Sequence, residues 1–288
     1  MQDTSVPVDQ GRISVWYRPA IPGNPTVTLI HGLTGNSRWW LPVILSLPEG
    51  LGIIAPDLRG RGQSAEAPGP FSLDSLAPDI SACLNHFEIQ TTVLVGYSMG
   101  AWLTSLYAST RTRRISGVVL ADGGLPIDFD EDEAAEVVLK KLIGPALDRF
   151  DKTYTSMDDY LEFWRSHPAF AGRWIPRLST VFSYDAEERN GDVVSRANRK
   201  AIIEGGRDIL FDEQANKAVF ELTVPTHVLV VDHDMLDRPG GFMSVTAASD
   251  ATSRNPNVGV EMLTGLNHYT LLLGTGASSV AHSIMMLL

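Results

Sequence analysis

Short, nearly continuous apolar runs bounded by turn residues recur through the first 122 residues: Arg12 to Val15 with its flanks, Thr26 to Ile30, Leu51 to Ala55, Thr92 to Val95 and Gly117 to Ala121. Strands covered on both faces read this way, because neither face meets water. Between them lie helix-like stretches, Ser37 to Leu47, Ser72 to Ile89 and Met99 to Ser109. Strands that alternate with helices need crossover connections, so the pattern predicts a mainly parallel sheet in an α/β fold.

From about Gly123 to Leu222 the character changes. An acidic opening, DFDEDE from Asp128, leads into aromatic stretches, YLEFWR from Tyr160, then Pro168-Ala-Phe and Trp174-Ile-Pro. These predict short helices broken by prolines and no parallel strand. VPTHVLVVD from Val224 and VGVEML from Val258 restore the strand pattern, and Ala277 to Leu288 reads as a closing helix. The expected organisation is a core domain assembled from residues 1–122 and 222–288, with a helical cap or lid inserted over 123–221.

One run departs from the rest. VLVGYSMGAW, from Val93, carries a serine with a glycine two positions away on either side. A strand that turns directly into a helix forces its apex residue into a strained conformation, and glycines at those two positions let strand and helix approach without a Cβ clash. The hydroxyl of Ser98 then projects above the sheet, and the amide of Met99 points from a helix N-terminus at any anion formed beside it.

Composition narrows the function. The chain has 288 residues and a formal net charge of −11, which argues against a general polyanion binder, since nucleic-acid affinity comes largely from Lys and Arg. The first ten residues lack the basic and apolar regions of a leader, and no apolar run has spanning length. A single cysteine, Cys83, makes no internal disulfide. The expectation is a cytoplasmic protein without membrane or nucleic-acid partners, acting on a small molecule.

Four motifs resemble those of the α/β-hydrolase fold family: LIHGLTG from Leu29, DLRGRGQS from Asp57, GYSMG from Gly96 and GLNHY from Gly265. The resemblance covers about residues 10 to 122 and 222 to 288. It implies an eight-stranded, mostly parallel sheet flanked by helices, with the segment between as the family's variable cap. It also implies Ser98 as nucleophile, His268 as base, His31 as a structural residue, and the backbone amides of Leu33 and Met99 as oxyanion donors.

The acid that orients His268 has two candidates. Asp234, ending VLVVDHD, is expected first, because the family usually places its acid after the penultimate strand. The stretch departs from the usual pattern, with Val231 in place of a glycine and Pro239 one position late. Asp122 is the alternative: it ends the strand that follows the nucleophile helix, where a minority of the family carries the acid.

Other signals are weaker. GRGQSA from Gly60 fits a dinucleotide pattern, but EAPGP follows where a helix should open. Asp128, Asp130 and Asp132 imitate a calcium loop without its glycine or closing glutamate, and His227 and His233 lack metal-ligand spacing. No metal and no cofactor is expected. Trp39, Trp164 and Tyr269 are candidate substrate-binding residues in an apolar cleft. The expected activity is hydrolysis of a carboxylic ester, lactones included, through an acyl-enzyme. Carbon-carbon bond hydrolysis, thioester hydrolysis and perhydrolysis on the same triad remain alternatives, as does a non-catalytic small-molecule receptor on this fold.

Overall fold

The structure, a computed structural model, describes residues 1–129, 132–143 and 145–288. In chain order its strands are β1 (Gln2–Val8), β2 (Gly11–Arg18), β3 (Thr26–Ile30), β4 (Gly52–Pro56), β5 (Thr92–Tyr97), β6 (Ile115–Ala121), β7 (Ala186–Arg189), β8 (Asp192–Ser195), β9 (Thr226–His233) and β10 (Val258–Asn267). Its helices are α1 (Leu41–Ser46), α2 (Leu73–His86), α3 (Met99–Thr110), α4 (Ala135–Ile143), α5 (Pro145–Asp148), α6 (Met157–Arg165), α7 (Pro176–Tyr184), α8 (Arg199–Phe211), α9 (Glu213–Lys217), α10 (Val245–Arg254) and α11 (Gly274–Met285).

Eight strands form one sheet in the order β1-β2-β4-β3-β5-β6-β9-β10. From β4 to β10 the neighbours run parallel, while β2 meets β4 and β1 meets β2 antiparallel. Every residue of β3, β4 and β5 is buried, so both faces of the sheet centre are covered, as the unbroken apolar runs require. Helices α2 and α3 pack together, as do α1 and α11.

Register brings three strand ends to one line. Ile30 of β3 lies beside Gly96 of β5, and Tyr97 of β5 lies beside Ala121 of β6. The residues that follow, His31 to Leu33, Ser98 and Asp122, therefore leave the carboxyl edge of the sheet side by side, where open α/β sheets bind ligands.

The elements between β6 and β9 are helices α4 to α9 and the antiparallel pair β7–β8, none of which joins the main sheet. The hairpin was not anticipated, although its turn, Asn190-Gly191, is a strong hairpin signal; both residues sit at positive φ, 54° and 89°. The edge strand β1 was also missed. Its sequence, QDTSVPV, is polar and holds a proline, as edge strands do, and within it only Val6 is fully buried.

The tightest packing lies where α3 begins. A Cβ on Gly100 would sit 2.2 Å from the Ile30 carbonyl oxygen and 2.6 Å from that of His31. Backbone cannot yield as a side chain does, so Gly100→Ala is expected to lower stability by at least about 1–3 kcal/mol in a urea titration. An unchanged midpoint would contradict this close approach.

Candidate active site

Strand β5 ends at Tyr97 and α3 starts at Met99, so Ser98 alone makes the turn, with φ 54° and ψ −128°. This is a strained conformation for a residue with a side chain, and such residues persist only where their surroundings fix them. Here the surroundings are backbone: a Cβ on Gly96 would lie 2.2 Å from the Gly100 carbonyl oxygen, and the Ser98 amide donates to the Ala121 carbonyl at 2.9 Å. Across the turn, a Cβ on Gly32 would touch that of Ser98 at 2.9 Å, which brings the loop after β3 against the serine.

His268 follows β10 and is buried, and its Nδ1 lies 2.6 Å from Oδ2 of the fully buried Asp122. Asp122 is fixed at both ends: its amide donates to the Leu229 carbonyl at 2.7 Å, and Oδ1 accepts from the Val231 amide at 3.4 Å. The imidazole is braced by Tyr97, whose hydroxyl donates to the His268 carbonyl at 3.0 Å, and by Phe242, edge-on at 5.1 Å. The sequence pattern singled out neither residue.

Asp234, the acid expected first from the sequence, is not at the imidazole. Its Oδ1 accepts the amides of Leu236 and Arg238, and its Oδ2 accepts Arg238 Nε at 2.7 Å. Partial burial raises its pKa, but these bonds to Arg238 and Leu236 outweigh that and hold the carboxyl below its ordinary range. The order of the two candidates is therefore reversed, for a physical reason: Asp234 closes a tight turn on itself, whereas Asp122 ends the strand next to that of Ser98.

His31 organises the loop after β3. Burial lowers its pKa to about 3, so the ring is neutral. Its Nδ1–H donates to the Gly32 carbonyl at 2.8 Å, while Nε2 accepts the Leu58 amide at 3.0 Å. The next two carbonyls are each held by a buried arginine. Arg61 Nε donates to Leu33 at 3.1 Å, and Arg149 Nη2 donates to Thr34 at 2.8 Å. The loop is thus fixed through its oxygens. Among the described residues no protein acceptor takes the Leu33 amide, and the Met99 amide opens a helix, where N–H groups have no partner within the helix.

Ser98, His268, Leu33, Trp39, Tyr97, Met235 and Tyr269 share a cavity of about 30 Å³, room for about one water. Trp39 and Tyr269 are thus in its wall, and Trp164 of α6 stands behind them at 6.3 and 6.2 Å between ring centroids. Further rings of the insertion, Phe170 and Phe182, complete the cluster.

The sequence profile for the alpha/beta hydrolase fold matches residues 25–144. Two solved structures superpose over nearly the whole chain: E-2-(acetamidomethylene)succinate hydrolase, at TM-score 0.78 and 19% identity over 99% of this chain and 98% of that one, and the thioesterase domain from the curacin biosynthetic pathway, at 0.77 and 20% over 99% of both. The chain has an α/β-hydrolase fold. At these identities the likeness to the solved structures is one of fold. Among curated relatives of this α/β-hydrolase-fold chain, the uncharacterized hydrolase YNR064C of Saccharomyces cerevisiae is 30% identical over 172 residues, 59% of this chain and 52% of that protein. The chain spans about a third to a half of the length of the curated relatives it matches.

Among the described residues, no helix is long and apolar enough to cross a membrane, and no group of three His, Cys, Asp or Glu side chains is placed to hold a metal ion. Of the acidic run that imitates a calcium loop, Asp130 lies outside the described residues. In the GRGQSA turn, Gly62 packs on Asp57, whose carboxylate accepts the amides of Ser37 and Gln63 and the Tyr184 hydroxyl. Burial raises that carboxyl above its ordinary range, partly offset by these bonds.

A pH prediction follows from His31. Its unfolded pKa is near 6.5 and its folded value about 3, so the unfolded chain binds the extra proton between them and the stability from the buried neutral ring is lost as pH falls through that window. Asp57 and Asp185, raised by burial, act with the opposite sign, so the readable quantity is a difference. Guanidinium titrations should show the advantage of wild type over His31→Gln shrinking by up to about 1.4 kcal/mol per pH unit on acidification below about pH 6. A difference independent of pH would mean that His31 is not buried as the neutral ring.

Proposed function

We propose that this chain is a serine hydrolase that cleaves carboxylic esters, lactones included, through an acyl-enzyme. The observation that carries this reading is the 2.6 Å bond between His268 Nδ1 and the buried Asp122, in a cavity shared with a serine held on a strained strand-to-helix turn. With Nδ1–H donated to Asp122, the lone pair of Nε2 is left to take the Ser98 proton. Ser98 Oγ then attacks the carbonyl carbon, and the amides of Leu33 and Met99 receive the oxyanion. The imidazolium returns its proton to the leaving alcohol, and the same ring next activates water against the acyl-enzyme. Asp122 is the acid of this proposal.

In this reading residues 123–221 act as a cap. The cavity beside Ser98 is small, and Trp164 of the insertion stands against Trp39 and Tyr269 in its wall, so movement of the inserted helices would widen it for an ester. With Trp164, these rings offer an apolar wall for the acyl or alcohol part. One structural neighbour is named for succinate-derivative hydrolysis and the other as a thioesterase, so the substrate panel pairs p-nitrophenyl esters with thioesters.

Turnover of short p-nitrophenyl esters and labelling of Ser98 by a fluorophosphonate test the reading directly. Ser98→Ala should abolish both, and retention of full turnover would overturn the nucleophile. Asp122→Asn should lower kcat by about 10⁴-fold by reversing the His268 tautomer, whereas Asp234→Asn should stay within about threefold of wild type. Equal, modest losses from both would contradict the triad.

A further inference from the structure

Arg61 is fully buried, and its guanidinium has no carboxylate partner among the described residues. Instead its Nε donates to the Leu33 carbonyl at 3.1 Å, Nη1 to the Arg59 carbonyl at 2.8 Å, and Nη2 to the Ala201 carbonyl at 2.8 Å. Nη2 also lies 3.6 Å from the thioether Sδ of Met99. Burial pulls its pKa down to about 9, partly offset by the charge of Glu204, and at neutral pH it is a cation. Burying a charge among neutral oxygens is costly, and a neutral side chain would fill the space more cheaply.

Its contacts indicate what the charge does. Leu33 and Met99 are the two residues whose amides receive the oxyanion in the reading above, and Arg61 touches both. Ala201 lies on α8, in the insertion. That helix packs onto the same three side chains: a Cβ on Gly205 would fall 2.8 Å from Met99 Sδ, 2.9 Å from Arg61 Nη2 and 3.1 Å from Leu33 Cδ1. Glycine inside a helix costs about 1 kcal/mol relative to alanine, so close approach is the physical reason for one at this position.

We propose that Arg61 is a positioning residue of the oxyanion hole. Its planar fork fixes Leu33 and Met99 relative to one another, its charge adds a positive field beside the forming oxyanion, and it is locked in place only when α8 is seated on the core. A guanidinium suits this task because its donors lie in one plane with fixed angles, whereas lysine offers a single flexible ammonium. In a water-poor site such a preset charge is effective, since nothing has to reorient as the anion forms. The inference rests on the serine-hydrolase reading and deepens it.

The test uses the full chain and three variants: Arg61→Gln removes the charge, Arg61→Lys keeps the charge without the fork, and Gly205→Ala keeps every bonding group but displaces the end of Arg61. The readouts are the rate of Ser98 labelling by a fluorophosphonate, kcat and KM on p-nitrophenyl butyrate, and Tm. For Arg61→Gln, labelling rate and kcat should fall together by about ten- to a hundredfold, less than the loss of an oxyanion donor itself, with KM within about threefold. Arg61→Lys should be intermediate, and Gly205→Ala should still fold cooperatively while losing rate. Labelling of Arg61→Gln within about twofold of wild type, or a raised KM with kcat intact, overturns the inference. Should Arg61→Gln fail to fold, a Gly205→Ala variant that labels at the full rate overturns it equally. If wild type is labelled at Ser98 and only the Arg61 effects are missing, this inference alone fails; if wild type is not labelled, the serine-hydrolase reading fails with it.

Discussion

Everything at the carboxyl edge of the sheet depends on how closely α3 approaches β3 and β5. Where the first turn of the helix meets the strands there is backbone against backbone, with Gly96 under Gly100 and Gly100 under Ile30 and His31. That contact leaves one residue to reverse the chain, and it forces Ser98 to positive φ. The strain is sustained by the sheet rather than by the turn, since the Ser98 amide is tied to β6 through Ala121. A looser crossing would let the serine relax out of this strained conformation.

The same crossing explains why the acid beside His268 comes from β6. Parallel neighbours in register end together, so the residue after Ala121 emerges beside the residue after Tyr97. Asp122 is buried there, its own amide donating to the Leu229 carbonyl and its Oδ1 accepting the Val231 amide, and Oδ2 remains for the imidazole. Asp234 follows β9 in a loop that turns back on itself, and its oxygens are taken by Arg238 and Leu236. A carboxylate has a limited set of acceptor sites, and those of Asp234 are engaged by its own turn.

The loop after β3 is held through its carbonyl oxygens, by one of its own side chains and by two from other segments. His31, Arg61 and Arg149 bind three successive carbonyls, of Gly32, Leu33 and Thr34, one from within the loop, one from the turn after β4 and one from the insertion. Arg149 is paired with Asp185, to which the Tyr160 hydroxyl also donates, so its burial is compensated within the insertion. The peptide that carries the Leu33 amide is the one whose carbonyl, that of Gly32, His31 holds at 2.8 Å.

By itself the sequence determined the parallel α/β sheet and the elbow at Ser98, because these rest on local rules. Doubly buried strands are continuous in apolar residues, and a one-residue turn between strand and helix needs glycines at fixed offsets. It left β1 and the β7–β8 hairpin unread, though Asn190-Gly191 carried the second. Only the tertiary structure decided which of Asp122 and Asp234 lies against His268, since both are aspartates just past strand ends and differ in which neighbours claim their oxygens. Arg61 was equally invisible: its contacts span Leu33, Met99 and Ala201, far apart in the chain and joined only when α8 folds back over the sheet. Local pattern encodes where a chain must turn, and packing between distant segments decides which charged groups meet there.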